Sequence, residues 1–229
     1  MLLTEFDANR QAIINPEALH EPLEGFPKIA VSCFSRLTFQ RMLEMFPHEL
    51  IYETSMANVA IPIYKLVIDD NELAIFNAPV GASACVGILE DIFVLGADKL
   101  VLFGTCGVLD EDIKETSIII PSHALRDEGT SFHYVEASDE IAVNVGVLDH
   151  FRSYLNERQI SHKEGKVWTT DGVYRETNGK LKARKAAGAI CVDMECSAVA
   201  ALAKFRGVDI CHFFYAADHL SDCLLYTSD

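Results

Sequence analysis

Four short segments of this 229-residue chain carry side chains able to do bond-breaking chemistry: Gly104-Thr105-Cys106-Gly107, Ala124 to Tyr134, Asp193-Met194-Glu195 and Asp218-His219. The first offers two glycines with open backbone N–H groups and a hydroxyl between them. Such a turn can hold a phosphate by amide donation, or it can be a plain tight strand exit. It lacks the six-residue spacing and Lys of a Walker loop, and it is not the dinucleotide pattern G-x-G-x-x-G. Glu195 stands between an apolar run and an Ala-rich helical stretch. A carboxylate there can accept two hydroxyl protons from a vicinal diol, or it can simply complement the helix dipole. Asp218 closes an apolar run, where an acid is costly unless it is paired or near water. Partial burial lets such an acid keep a proton near neutral pH, as a general acid must; the plain alternative is a helix N-cap. In ALRDEGTSFHY the Arg126 guanidinium has the fork that matches an oxyanion, and local ion pairing in a solvated loop is the alternative.

These segments meet only if the elements between them bring strand ends together. Residues 28–34 read as a first strand, and Ser35 N-caps a helix through 46 that Pro47 ends. Residues 57–68 and 72–80 form a hairpin around Asp69-Asp70-Asn71. After Gly81-Ala82-Ser83, residues 83–95 form a buried helix. Residues 99–103 are a continuous apolar run, as in a strand covered on both faces, and deliver Gly104 to Gly107. Strands follow at 117–120, 166–170, 189–192 and 209–217. Helices follow at 143–159, 179–187 and 197–205, the last closed by Gly207. The alternation predicts a three-layer αβα architecture with a central mixed, largely parallel sheet, and ligands in such sheets sit beyond the strand C-termini. No linker or internal repeat divides the chain. The expected organisation is an N-terminal arm over 1–27, a single domain over 28–222, and a tail over 223–229 that reads as a translated sequencing adapter without function.

Composition narrows the classes of partner. Half the residues are hydrophobic, enough for a closed core, and 34 Asp+Glu against 19 Lys+Arg give a formal net charge of −15. A field of that sign repels nucleic acid polymers. The seven cysteines are scattered, without a C-x-x-C pair or a zinc-like Cys/His spacing, so buried reduced thiols in a cytoplasmic protein are expected and no metal site. No apolar run approaches the ~18 residues of a membrane span.

The runs GTCGVLDEDI, RDEGTSFHY, TTDGVYRE, VDMECSAVAALAKFRGV and YAADHL stand in an order and spacing that resembles the nucleoside phosphorylase family. The branch is that of bacterial purine nucleoside phosphorylase and uridine phosphorylase, with methylthioadenosine nucleosidases as hydrolytic relatives. The resemblance covers residues 25 to 220, and V-x-M-E before a small-residue helix is its most specific piece. It implies the nucleoside phosphorylase fold, and phosphorolysis of a ribonucleoside, purine favoured, to free base and ribose 1-phosphate. Phosphate is then a co-substrate and no cofactor is used. The implied roles are Met194 and Glu195 on the ribose, Glu195 holding the 2′ and 3′ hydroxyls, and Thr105 within Gly104, Cys106 and Gly107 on phosphate. Asp218 would protonate the leaving base. Val173 takes the place of the family's usual Phe against sugar and base, and Tyr174 lies along the base pocket. A homo-oligomer, dimer or hexamer, is also implied. Two departures stand out. Leu102 occupies the position of a usual phosphate-binding Arg, and Cys33-Phe34-Ser35 replaces a Gly-Asp-Pro turn with its own Arg. Arg36, Arg126 and Arg175 are the available substitutes. The departures keep open a nucleosidase that uses water, or a nucleoside-binding relative with weak turnover.

Overall fold

The computed structural model describes residues 2–220, with the exception of the Asp218 side chain. The tail expected over 223–229 lies outside the described residues. Among the described residues, ten strands share one sheet. Strand β1 (Ile29–Cys33) pairs in parallel with β4 (Asn71–Asn77) on one side and β5 (Lys99–Val108) on the other. Beyond β4, β3 (Val59–Ile68) and β2 (His48–Met56) extend the sheet antiparallel to its edge. On the other side the sheet curls into a ring. Here β5 pairs with β9 (Ala189–Asp193), β9 with β8 (His162–Thr170), and β8 with β6 (Ile118–Asp127). Strand β10 (Asp209–His219) then joins β6 back to β5. A short β7 (Glu140–Ala142) lies against β6.

Helices cover both faces, as the alternation predicts. The face of β1 and β4 that shows Ala30, Ala74 and Phe76 packs against α2 (Ala82–Leu95) and α5 (Cys196–Arg206) in the main core. The opposite face, showing Cys33 and Ile75, packs under Phe39 of α1 (Arg36–Met45). On this face Phe151 of α3 (Leu148–Glu157) lies 5.1 Å from Phe213, which stacks on Phe103 at 5.3 Å. The helix α4 (Asn178–Ala186) sits on β9, its Leu181 against fully buried Trp168.

Local chemistry explains several boundaries. The Ser35 hydroxyl accepts the amide hydrogen of Thr38 at 3.2 Å, the N-cap bond expected of it. Asp69 and Asp70 both adopt positive φ, 47° and 63°, at the two central positions of the β3–β4 turn, which suits the right-handed twist of the hairpin. Gly207 ends α5 at φ 75°.

Three expectations need correction. Residues 104–107 are not a turn: β5 runs through them to Val108, with Phe214 opposite Gly104 and Tyr215 opposite Thr105. The glycines mark close approaches rather than a break, since a Cβ on Gly104 would lie 2.8 Å from the Phe34 ring. Strand β6 likewise runs on to Asp127, so the first residues of the polar 124–134 segment are sheet. The helix expected over 143–159 begins only at Leu148, because Asn144, at φ 57°, turns its side chain into the β6–β10 region. There its amide Nδ2 donates to Pro121 O and His212 O.

Candidate active site

The partner exchange within β5 makes the site. Strand β1 follows β5 as far as Phe103, and β9 takes over at Gly107, opposite Val192. Neighbouring strands diverge there, and such a switch point is where an α/β sheet opens a crevice. Leaving that crevice, β9 ends on Asp193 and passes directly into Met194, Glu195 and α5, while the chain after β4 arrives at Gly81 and α2.

Glu195 is 5% exposed, and its Oε1 accepts the amide hydrogen of Gly81 at 2.6 Å. Gly81 stands at φ 100°, a conformation open to glycine, so the turn that aims its N–H at the carboxylate depends on the missing side chain. Burial raises the Glu195 carboxyl to about 8; the neighbouring Asp193 adds to the rise, and the amide bonds only partly offset it. Asp193 is the hub beneath. Its Oδ2 accepts the amide hydrogens of Glu195 (2.9 Å) and Cys196 (2.6 Å), and its Oδ1 accepts the Thr169 hydroxyl (2.7 Å). Burial pushes Asp193 up to about 6 against the pull of these donors. Asp193 thus caps α5 and fixes the backbone that carries Glu195.

Above them lies a cleft of about 1000 Å³. Gly81, Ser83 and Met194 line one part of it, and Thr130, His133 and Asp171 another. The N-terminal arm, from Asp7 to Leu19, forms its outer rim. Asp171 Oδ2 accepts the amide hydrogen of Gly129 at 2.9 Å, tying β8's exit to the loop after β6. That arrangement can orient a polyol against Glu195 and Met194, with Asp171, His133 and Ser83 as further polar contacts.

The other sequence candidates are dispersed. Thr105 is exposed on β5 and Leu102 is fully buried. Arg126 does not line the cleft. Its Nε donates to Ser131 Oγ at 2.8 Å and its Nη1 to Glu136 O and Ser138 Oγ, and its guanidinium lies 4.1 Å from the Phe132 ring centroid. The guanidinium holds the 130–138 loop in shape and is not offered to an oxyanion in the cleft. Arg36 and Arg175 are exposed. Val173 is 40% and Tyr174 95% exposed, and neither lines the cleft. The backbone of Asp218 belongs to β10, but its side chain lies outside what the structure describes. Sequence reasoning does not reach Asp171, and it places Asp193 and His133 in chemistry-bearing segments without giving either a role. The sequence DMECS, an acid two and three residues before amides at a helix start, is a capping signal that marks Asp193.

Comparisons with known proteins bear on the family and the fold. Residues 28–224 match the family model of the phosphorylase superfamily. The guanosine phosphorylase of Halorubrum lacusprofundi is 23% identical over 148 residues, covering 63% of this chain. The match spans 61% of that protein's own length, less than two thirds of it. Among solved structures, the uridine phosphorylase of Vibrio fischeri ES114 superposes with a TM-score of 0.78 at 18% identity, covering 91% of this chain and 86% of its own. The futalosine hydrolase of Helicobacter pylori strain 26695 superposes with a TM-score of 0.70 at 20% identity, covering 84% and 85%. With a family model spanning nearly all of the sheet and the Asp193–Glu195 turn inside it, the chain belongs to the phosphorylase superfamily.

Proposed function

We propose that the protein cleaves the N-glycosidic bond of a ribonucleoside, with a purine base favoured and inorganic phosphate as acceptor. The observation that carries this reading is the buried Glu195 carboxyl, held by the Gly81 amide and next to Met194, both of which line a cleft large enough for a nucleoside. As the C1′–N bond breaks, positive charge grows on the sugar and negative charge on the base. Glu195 holds the 2′ and 3′ hydroxyls and so fixes C1′ in place. Asp218 gives a proton to the leaving base, and phosphate, held by amides along Gly104 to Gly107, attacks C1′ to give ribose 1-phosphate. The scheme uses phosphate as co-substrate and no cofactor. The guanosine-cleaving name of the Halorubrum relative supports the purine preference, and the family resemblance supports a cytoplasmic homo-oligomer.

A second reading, hydrolysis, rests on a separate observation. The Phe34 ring covers Gly104, and Leu102, at the position of a usual arginine, is fully buried. A dianion on this strand would lack a charge-assisted bond of ~1.5–3 kcal/mol, and a hydrolase shares the fold. Incubation with inosine, guanosine, adenosine and uridine, with and without phosphate, separates the two. Phosphate-dependent release of base with ribose 1-phosphate supports phosphorolysis. Release of free ribose without phosphate supports hydrolysis, and binding without release identifies a nucleoside-binding relative.

A further inference from the structure

One buried carboxylate has no place in that scheme. Glu128 is 5% exposed, does not line the cleft, and stands at the start of the loop after β6. Its Oε1 accepts the Ser197 hydroxyl at 2.8 Å, and its Oε2 accepts the amide hydrogen of Ser131 at 2.9 Å. Ser131 and Ser197 are both fully buried. A carboxylate taken out of water is costly, and an apolar side chain of similar size would be cheaper. What an apolar side chain would lack is a bond in each direction. One of these goes to the loop whose Gly129, Thr130 and His133 wall the cleft, and the other to the first turn of α5, two residues after Glu195.

The bonds continue past Ser197. Its amide donates to Thr169 Oγ1 at 3.1 Å, and the same hydroxyl donates to Asp193 Oδ1 at 2.7 Å. Asp193 in turn holds the Glu195 amide. On the loop side, Arg126 Nε donates to Ser131 Oγ. Between the loop wall and Glu195 there is therefore an unbroken run of buried hydrogen bonds, and in that run Glu128 joins the β6 loop to the first turn of α5.

We propose that Glu128 is a positioning residue for the reaction: by stapling the 129–133 loop to the N-terminus of α5 it sets the location of Glu195 relative to the opposite wall of the cleft. The proposal rests on the reading of Glu195 as the group that holds the ribose diol. Glu128 acts through Ser197 and touches no substrate.

The test compares wild type with Glu128→Ala, Glu128→Gln and Ser197→Ala. The assay uses whichever of inosine, guanosine, adenosine and uridine is turned over fastest, and its 2′-deoxy counterpart. Thermal melting establishes that each variant is folded. Displacing Glu195 harms the substrate with both hydroxyls most, so in Glu128→Ala and Ser197→Ala the ratio of ribo to 2′-deoxy kcat/KM falls about 10-fold or more, in line with the ~100-fold effects of ångström-scale misplacement. Gln at 128 can accept from Ser131 with its amide oxygen and donate to the Ser197 oxygen, so it recovers most of the ratio. A loss of stability without displacement would lower both substrates together. An unchanged ratio in a folded Ala variant overturns the proposal, as does a Gln variant as damaged as Ala. Should Glu128→Ala not fold, Ser197→Ala, the smaller change, decides the same question. A wild type that cleaves none of these nucleosides, or treats both sugars alike, removes the reading of Glu195 itself and the proposal with it.

Discussion

Asp193 Oδ2 accepts the amide hydrogen of Glu195 at 2.9 Å, so two buried carboxylates share one turn, the first holding the backbone of the second. Their proximity has a consequence for pH. The Glu195 carboxyl, ordinarily near 4.5, is raised to about 8, first by burial and then by Asp193. Above pH 4.5 the unfolded chain has given up this proton while the folded protein still holds it. The native state then binds more protons, and stability falls as pH rises until the native carboxyl also ionises near 8.

The first prediction follows for the unliganded protein. Wild type loses thermal stability between pH 5 and 8, and Glu195→Gln, which keeps the bond from Gly81 but has no proton to lose, shows a shallower slope. The same ionisation governs turnover, because a carboxylate must be charged to accept both hydroxyl protons. The acid limb of kcat/KM therefore lies near pH 8 for the free enzyme, well above the ordinary carboxylate range. Melting curves and rates across pH 5–9 check both, and an acid limb near 4.5 contradicts the assignment.

Asp127 behaves in the opposite sense. Burial raises its carboxyl, but hydrogen bonds from Lys180, Arg184 and Trp168 outweigh that and hold it below 3.8. Its contribution is present above pH 3.8 and is lost as pH falls through the lowered value. Because Trp168 is fully buried and its Nε1 donates to Asp127 at 2.9 Å, Asp127→Ala leaves that donor unpaired. The expected cost at pH 7 is about 1–3 kcal/mol, read in Tm as about 2–4 °C per kcal/mol. The deficit shrinks at pH 3. A deficit independent of pH points to lost packing instead.

At Gly104 the strand has no room for a side chain. A Cβ would stand 2.8 Å from Cδ2 of the Phe34 ring, a rigid group that is itself packed against the core. Gly104→Ala therefore destabilises by about 1–3 kcal/mol, measured by denaturant melts. Adding Phe34→Ala restores part of the loss. Equal stability of Gly104→Ala and wild type would mean that Phe34 is free to move off the strand.

Much of the fold was legible because local chemistry and tertiary packing agree. Ser35 reads as an N-cap and makes that bond, and Asp69-Asp70-Asn71 reads as a turn and takes positive φ. The V-x-M-E run locates the Glu195 turn before any geometry is known. β2 was missed because its burial pattern is mostly exposed: as an edge strand it pairs only with β3, so little apolar alternation marks it. β5 and β6 were read too short because glycine and charge look like breakers within a single strand, whereas the partners that extend them, β10 and β8, are more than 40 residues away. The closing of the sheet into a ring depends on those same distant pairings.

The site was legible in part for a similar reason. Glu195 is marked by its neighbours in sequence, and Asp171 joins it only through the return of β8 beside β9. Arg126 shows the limit from the other side. Its type suits an anion, but three nearby acceptors on Ser131, Glu136 and Ser138 take its Nε and Nη1 donors, and its Nη2 is buried away from the cleft, without a partner among the described residues. Residue type gives what a group can do, and only the fold gives what it is already bonded to.

The most direct measurement is the rate of base release from inosine, guanosine, adenosine and uridine by wild type and by Glu195→Ala, each shown folded by circular dichroism and melting. Two charge-assisted bonds to the ribose diol, at ~1.5–3 kcal/mol each, predict that the folded variant loses about 10²–10⁴-fold in kcat/KM on the nucleoside that wild type cleaves. A folded Glu195→Ala protein that releases base at the wild-type rate contradicts the account.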